Sequence, residues 1–237
     1  MPTKTFKRTD GRKLDEMRPI SAKVGVIPSA DGSAMWKQGD TTAIAAVHGP
    51  KKMHPQHQQD PSTGQLRCNY NLMSFSVSDR ARPGKNRRSQ EIDKIIEWAI
   101  NPVLKIKGFP NLVVDVTIQI TQADAGTRCA GINAAALALA HAGIPMKDLV
   151  SSIALGKLDK TLVVDVNKEE EDYEEGEGST DIPITMTSDG KMTQMQIDGK
   201  ITPAQLKEIM QMAKKACNEI YEVQKKALKD GIGGGEE

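Results

Sequence analysis

The sequence predicts an α+β fold of two similar halves, each a strand meander followed by a helix, around a shared core. Three observations carry that prediction. Short runs rich in β-branched residues, separated by Asp-Gly and Gly-Asp pairs, recur in both parts of the chain. Two longer stretches repeat apolar residues at steps of three and four. Between them a Val/Ile-rich segment meets an Ala-rich segment through a tight polar turn. The 237 residues, 38% hydrophobic and 27% charged, suit one globular domain over residues 1–229. Its halves would divide near residues 108 and 109, with a frayed tail at 230–237.

Residues 21–28, 33–38 and 41–48 read as three strands joined by the Asp31-Gly32 and Gly39-Asp40 turns. Residues 49–65, with Pro, His and Gln but little periodicity, read as loop. Residues 66–77 form a further strand leading into a basic loop. Ser89 then serves as the N-cap of a helix whose Ile92, Ile95, Ile96, Ala99, Ile100, Val103 and Leu104 share one face. Asn101-Pro102 should kink or shorten its last turns. Leu112–Gln122 is a buried strand and residues 129–142 a buried helix. Four short strands follow at 151–158, 161–166, 182–187 and 192–198, with turns at Asp159-Lys160 and Ser188-Asp189-Gly190. Thr202 and Pro203 open a final helix on which Leu206, Ile209, Ala213, Ala216, Ile220, Val223 and Ala227 line one apolar face.

Composition excludes several classes of protein. No run of about 18 apolar residues exists, so no membrane span is expected. The first twenty residues lack the apolar stretch of a secretory signal, and Cys68, Cys129 and Cys217 form no CxxC pair; both point to a reducing, cytoplasmic setting. Net charge is only +1, but it is unevenly spread. Residues 80–88 place five cations in nine positions, whereas residues 169–181 hold eight carboxylates in thirteen. The basic loop, with Arg80, Arg82, Lys85, Arg87 and Arg88, is either a phosphate-backbone contact surface or a solvated loop. The acidic run either holds Mg²⁺ and moves protons or is solvated and flexible, except that Asp181 enters a strand and would be held.

The turn from Gln122 to Arg128 is the sharpest local signal. Gly126, Thr127 and Arg128 would sit at a helix N-terminus, where free N–H groups, a hydroxyl and a guanidinium favour an anion. A plain helix start with an incidental arginine fits the same pattern. His54 and His57 form an HxxH without a third ligand, so zinc is not expected; His141, on the Ala-rich helix, should be packed. No Ser-His-Asp or Cys-His arrangement stands out, and no Walker sequence is present. With aromatics at 3%, Tyr70 is the one candidate for stacking on a base, and core packing suits it equally.

Taken together, the motifs resemble the RNase PH family over nearly the whole chain. They are Arg8-Thr-Asp-Gly-Arg12 with Met17-Arg-Pro-Ile20, Gly39-Asp-Thr-Thr42, Gly49-Pro-Lys-Lys-Met-His-Pro55 and Arg87-Arg-Ser-Gln-Glu91. Gln122-Ala-Asp-Ala-Gly-Thr-Arg128, Ala140-His-Ala-Gly-Ile-Pro-Met-Lys-Asp-Leu149, Val163-Val-Asp-Val-Asn167 and Asp181-Ile-Pro183 complete the set. The MHP and AGIPMKDL segments are similar to the branch that supplies the catalytic subunit of the archaeal exosome. The resemblance implies the RNase PH-type fold, like the second domain of ribosomal protein S5, and a phosphate-dependent 3′→5′ exoribonuclease that releases nucleoside diphosphates. It assigns Gly126, Thr127 and Arg128 to the attacking phosphate. RNA contacts go to Arg87, Arg88, His57, Tyr70 and Arg67. Catalysis and Mg²⁺ or Mn²⁺ binding go to Asp181 and a second acid. That acid is Asp172 or Glu175 in a loop longer than the family's, and Asp172 lies at nearly the usual distance. Gln56 stands where the family often has a basic residue, so RNA contact by that loop falls to His57. Implied partners are single-stranded RNA, a non-catalytic RNase-PH-like paralogue in a trimer of heterodimers, and S1/KH-type cap subunits. The alternatives are a non-catalytic ring subunit and a bacterial-type enzyme trimming tRNA 3′ ends.

Overall fold

A computed structural model describes residues 8–174 and 176–233. Two sheets share a central helix. The first sheet contains β1 (Ile20–Val24), β2 (Gly32–Gln38), β3 (Thr41–Lys52), β4 (Gln65–Leu72) and β5 (Leu112–Gln122), in the order β1-β2-β3-β5-β4. All neighbours are antiparallel except β4 and β5, which run parallel and are joined by helix α1 (Arg87–Ile100). A parallel pair needs such a crossover, and α1 supplies it by laying its Ile92, Ile96 and Ile100 face on the core. The second sheet, order β7-β6-β8-β9, is antiparallel throughout. Its strands are β6 (Val150–Leu158), β7 (Thr161–Val164), β8 (Ser179–Thr187) and β9 (Met192–Met195).

Helix α2 (Thr127–His141) lies between the sheets, with every residue from Cys129 to Leu139 buried. It is apolar on all sides, as a helix must be when it has no solvent face. Its small residues let strands approach closely: a Cβ built on Gly32 of β2 would lie 2.4 Å from the Ala138 carbonyl oxygen. One polar residue crosses this layer with its bonds satisfied. Asn133 donates to the Ser152 carbonyl at 2.8 Å and accepts from the Ser152 N–H at 2.8 Å, which registers α2 on β6. The long helix α4 (Pro203–Gly233) packs Ile209, Ala213, Ala216 and Ile220 against the core, and its buried Gln224 donates to the Val150 carbonyl.

Several boundaries differ from the sequence reading. The expected division near residue 108 does not separate the sheets, because β5 is inserted between β3 and β4. Strand β1 ends at Val24, while β3 continues past His48 to Lys52 through a register shift between His48 and Lys51. Strand β4 stops at Leu72. Helix α1 is capped by Asn86 rather than Ser89: Asn86 accepts from the Ser89 N–H at 2.7 Å while Ser89 Oγ accepts from the Asn86 N–H. Its first turn therefore contains Arg87 and Arg88 and no acid. At its far end α1 gives way to a 3₁₀ turn at Asn101–Val103. Strand β7 ends at Val164 because Asp165 takes a left-handed turn with φ 57°. Strand β9 ends at Met195, and Asp198 rejoins β8 through a single bridge to Asp181. The acidic stretch is not all loop, since Lys168–Glu171 form a short helix, α3. Of the expected tail, residues 230–233 are helical and 234–237 lie outside the described residues. Among the described residues, no helix is long and apolar enough to cross a membrane.

The close seat of β2 on α2 gives a direct test. Gly32→Ala adds a methyl where the Ala138 oxygen and Ala142 stand within 2.5 Å, and should cost roughly 1–3 kcal/mol in a urea unfolding midpoint. An unchanged midpoint would show that β2 does not approach α2 this closely.

Candidate active site

The polar turn before α2 is held by its own bonds, Ala123 N–H to the Ser76 carbonyl and Asp124 N–H to Thr41 Oγ1, and leaves the helix start without a side-chain cap. Ala125 (φ 52°) and Gly126 (φ 63°) are both left-handed, so the chain reverses sharply out of β5 and enters α2 at Thr127. A non-glycine residue in this region is strained by roughly 1–2 kcal/mol, and the strain is held by neighbours. Thr41 Oγ1 bonds Asp124 and Ala125, and Arg18 Nη1 donates to both the carbonyl and the carboxylate of Asp124. No side chain caps the helix at Gly126. The first N–H groups of α2 thus point out with the positive end of its dipole, the arrangement that receives an anion.

Those groups open onto a cleft of about 140 Å³ between the two sheets. Gly126, Thr127 and Arg128 form one wall, and Asp181 on β8 faces them. Arg128 Nη2 lies 3.5 Å from Asp181 Oδ2, and its Nη1 donates to Gln196 Oε1 at 2.7 Å. Arg82 and Arg88 come from the basic loop and the first turn of α1, and Lys168 and Glu171 come from α3. Burial, chiefly, pushes the Asp181 carboxyl up from the usual 3.8 to about 6. The Arg128 charge opposes that rise, and the carboxylates of Glu171 and Asp198 add to it.

Helix α3 is fixed to this cleft from below. Asn167 caps it, accepting from the Glu170 N–H at 2.9 Å. Buried Glu170 takes a bidentate pair from Arg8 at 2.8 and 2.8 Å, and the Lys168 N–H donates to Asp124 Oδ1 at 3.0 Å. Asp124 therefore touches both the anion turn and the acid-bearing helix. Arg8 and Arg18 contribute here through packing and bonding that no spacing rule in the sequence exposes.

The expected site residues separate into two groups. The structure brings Gly126, Thr127, Arg128, Arg88 and Asp181 to one cleft. Arg87, in the same helical turn as Arg88, is exposed beside it and does not line it. Asp172 is not brought in. It follows the last residue of α3 and is exposed; Glu171 lines the cleft, Asp172 does not, and Lys168 Nζ joins the two, 2.7 Å from Asp172 Oδ1 and 3.5 Å from Glu171 Oε2. Glu175 lies outside the described residues. The Asn167/Glu170 capping box was the sequence signal that could have phased this helix and revealed Glu171.

Tyr70 also lines the cleft, but only 3% of it is exposed, so it meets the cleft from the core side and offers no open ring face for a base. Arg67 pairs with Asp115 at 2.6 and 2.9 Å away from the cleft, and His57 sits exposed in the 3₁₀ turn Gln56–Gln58; neither lines the site. His141 is half-buried and accepts from the Ser33 N–H. No histidine lines the cleft among the described residues, and the Cys129 thiol there is pushed up to about 12 by burial, so it stays protonated. The cleft thus offers cations and carboxylates around the start of α2, and among the described residues its Ser89 and Thr127 hydroxyls and its Cys129 thiol have no histidine beside them in the lining to activate them. Among the described residues, no group of three or more His, Cys, Asp or Glu side chains gathers to hold a metal. Asp181 and Glu171 are two hard oxygen donors, a number that suits Mg²⁺ when substrate phosphate and water complete its shell.

Comparison with known proteins gives a consistent result. A model of domain 1 of the 3′ exoribonuclease family RNase PH matches residues 16–145, and a model of its domain 2 matches residues 148–216. The chain is 48% identical to "Exosome complex component Rrp41" of Thermococcus kodakarensis over 225 residues, covering 94% of this chain and 89% of that one. It is 45% identical to the protein of the same name from Methanopyrus kandleri over 228 residues, covering 96% and 94%. A Methanosarcina mazei relative is 46% identical over 94% of this chain, which spans 44% of that longer protein. Two solved structures share the fold. Rice Rrp46 superposes with a TM-score of 0.81 at 24% identity, covering 93% of this chain and 100% of its own. A chain of the Archaeoglobus fulgidus exosome with RNA bound to the active site superposes at 0.80 with 22% identity, covering 91% and 92%.

The raised Asp181 pKa makes a stability test with a defined sign. Well below pH 3.8 the carboxyl is protonated in both folded and unfolded chains and carries no burden. Between about pH 3.8 and 6 the unfolded chain ionises while the folded chain keeps its proton, so a cost accumulates that is complete above about pH 6, on the order of 2–3 kcal/mol. Asp181→Asn cannot ionise, so it should stabilise the chain more at pH 8 than at pH 4 by that amount in urea unfolding. Equal effects at the two pH values would contradict the burial of this group.

Proposed function

We propose, from the premise that the chain belongs to the RNase PH family of 3′ exoribonucleases, that it degrades RNA from the 3′ end by phosphorolysis as the active subunit of an archaeal-type exosome. One observation carries the reading: a helix N-terminus without a side-chain cap, with Arg128, faces the half-buried carboxylate of Asp181 across a cleft whose lining holds no histidine to activate a hydroxyl or thiol among the described residues. Inorganic phosphate then supplies the nucleophile. The N–H groups of the turn, the Thr127 hydroxyl and Arg128 hold it by hydrogen bonds and charge. Arg88 and Arg82, on the facing wall, grip the phosphates of the RNA end.

In the reaction an oxygen of inorganic phosphate attacks the terminal phosphorus, and the bond from that phosphorus to the 3′ oxygen of the preceding nucleotide breaks. The products are a nucleoside diphosphate and an RNA shortened by one residue; the reverse direction extends RNA by the same chemistry. Most of the protein's contribution is positioning two anions in line and countering their charge. With a pKa of about 6, Asp181 is partly protonated near neutrality and can give its proton to the departing 3′ oxygen. Ionised, Asp181 would instead hold Mg²⁺ or Mn²⁺ together with Glu171, and the metal when bound would add positive charge beside the phosphates in place of that proton. Single-stranded RNA, a second RNase-PH-like chain completing a ring, and S1/KH-type cap subunits are the partners this role requires.

The chain, assembled with its partner subunit, should shorten a 5′-labelled RNA only when phosphate is supplied. Arg128→Ala should raise the KM for phosphate at least tenfold. Glu171→Gln should lower turnover about a hundredfold, whereas Asp172→Asn should stay within a few-fold of wild type. Release of nucleoside monophosphates without phosphate would refute the proposal. Loss of turnover in Asp172→Asn with activity kept in Glu171→Gln would return the second acid to Asp172.

A further inference from the structure

Gln196 belongs to none of the roles described so far, yet it makes the shortest polar contact to the guanidinium that faces the cleft. Its Oε1 accepts from Arg128 Nη1 at 2.7 Å, across 68 residues of sequence. The segment that carries it is tied to β8, the strand of Asp181. Gln196 N–H donates to the Pro183 carbonyl at 3.1 Å, and Asp198 N–H donates to the Asp181 carbonyl at 3.0 Å. The segment then leaves β8 at Gly199, where φ is +141° and a Cβ would lie 2.4 Å from Thr180 Oγ1, so only glycine fits. Gln196 is thereby delivered to Arg128 at a fixed place.

The choice of an amide has a consequence. Arginine and carboxylate prefer a fork of two parallel bonds, the geometry Arg8 and Glu170 adopt in this chain at 2.8 and 2.8 Å. Arg128 does not pair with Asp181 in that way; its Nη2 stands 3.5 Å from Asp181 Oδ2, without the two short parallel bonds of that fork. Gln196 occupies Nη1 with a neutral acceptor. Arg128 is kept from closing onto Asp181, and its charge is left unspent for an incoming anion. We propose that Gln196 is a positioning residue that holds Arg128 open for the attacking phosphate. A glutamate at this position would accept the same bond but neutralise the guanidinium and repel phosphate.

This inference rests on the phosphorolytic reading, and the test separates the two. Phosphate affinity is measured by calorimetry on the assembled complex, alongside the KM for phosphate, kcat at saturating phosphate, RNA affinity and Tm. Gln196→Met, which keeps the volume and loses the acceptor, should weaken phosphate binding and raise its KM about tenfold. Gln196→Glu should weaken it further, although a structural role would tolerate this isosteric, stronger acceptor. In both, kcat should stay within about threefold and RNA affinity should be unchanged. The inference is overturned if both variants keep the phosphate KM within twofold, if Gln196→Glu binds phosphate as wild type does, or if Tm, RNA affinity and phosphate affinity fall together. Arg128→Ala serves as the reference. If it leaves phosphate binding intact, the phosphorolytic reading itself fails; if it weakens binding and the Gln196 variants do not, only the role of Gln196 fails.

Discussion

Arg18 fixes the spacing between the anion turn and the acid-bearing helix, and the geometry of the cleft depends on that. Its backbone N–H and Nε both donate to Asp165 Oδ2, its Nη2 donates to Asp165 Oδ1 at 2.8 Å, and its Nη1 reaches Asp124. Asp165, 1% exposed and left-handed, ends β7 and starts the path into α3, while Asp124 begins the turn into α2. One guanidinium thus joins the two sheets under the cleft. Burying such charges costs several kcal/mol per ion unless every lone pair and proton is matched. Here they are matched: Arg12 also donates to Asp165, and among the described residues no fully buried side-chain nitrogen or oxygen lacks a partner.

This network explains how an N-terminal segment far from the cleft in sequence shapes its chemistry. Arg8 secures Glu170, Glu170 fixes the phase of α3, and that phase decides that Glu171 enters the cleft. From the other side, Asp124 binds Arg18 and the Lys168 N–H at once. The turn before α2 and helix α3 are therefore held at set distances by the buried Arg8–Glu170 and Arg18–Asp165 pairs, completed at the surface by Asp124. Preorganised charge of this kind is what a reaction between two anions needs, because no reorganisation is then required as charge develops.

The outline of the fold was legible in the sequence because its signals are local. Apolar repeats at steps of three and four marked α1 and α4, β-branched content marked β5 and a small-residue run marked α2, while the Gly126-Thr127-Arg128 turn fitted an anion site and a plain helix start equally. The parallel pairing of β4 with β5 was not legible, since it depends on which strand edge α1 carries the chain to. The cap of α1 was missed because Asn86 and Ser89 are both good N-caps and only their reciprocal bonding shows which one leads. Tyr70 was ambiguous because an aromatic on a half-buried strand looks the same from either face. Which acid of the 169–175 run lines the cleft depends on the phase of a four-residue helix; the local Asn167/Glu170 capping box signals that phase, and the long-range Arg8–Glu170 pair, 162 residues apart, supports it. The place of Gly126, Thr127, Arg128 and Asp181 in one cleft followed from local pattern, whereas the contacts of Arg8, Arg18 and Asp124 that hold it together did not.

The central claim is that inorganic phosphate, seated at the start of α2, is itself the attacking group. Its most direct test follows the atom. The assembled complex is supplied with RNA and ³²P-labelled inorganic phosphate, and the released nucleotide is separated and degraded to locate the label. The account expects one label per nucleotide released, all of it in the β-phosphate of a nucleoside diphosphate. Unlabelled nucleoside monophosphates as the product would contradict it.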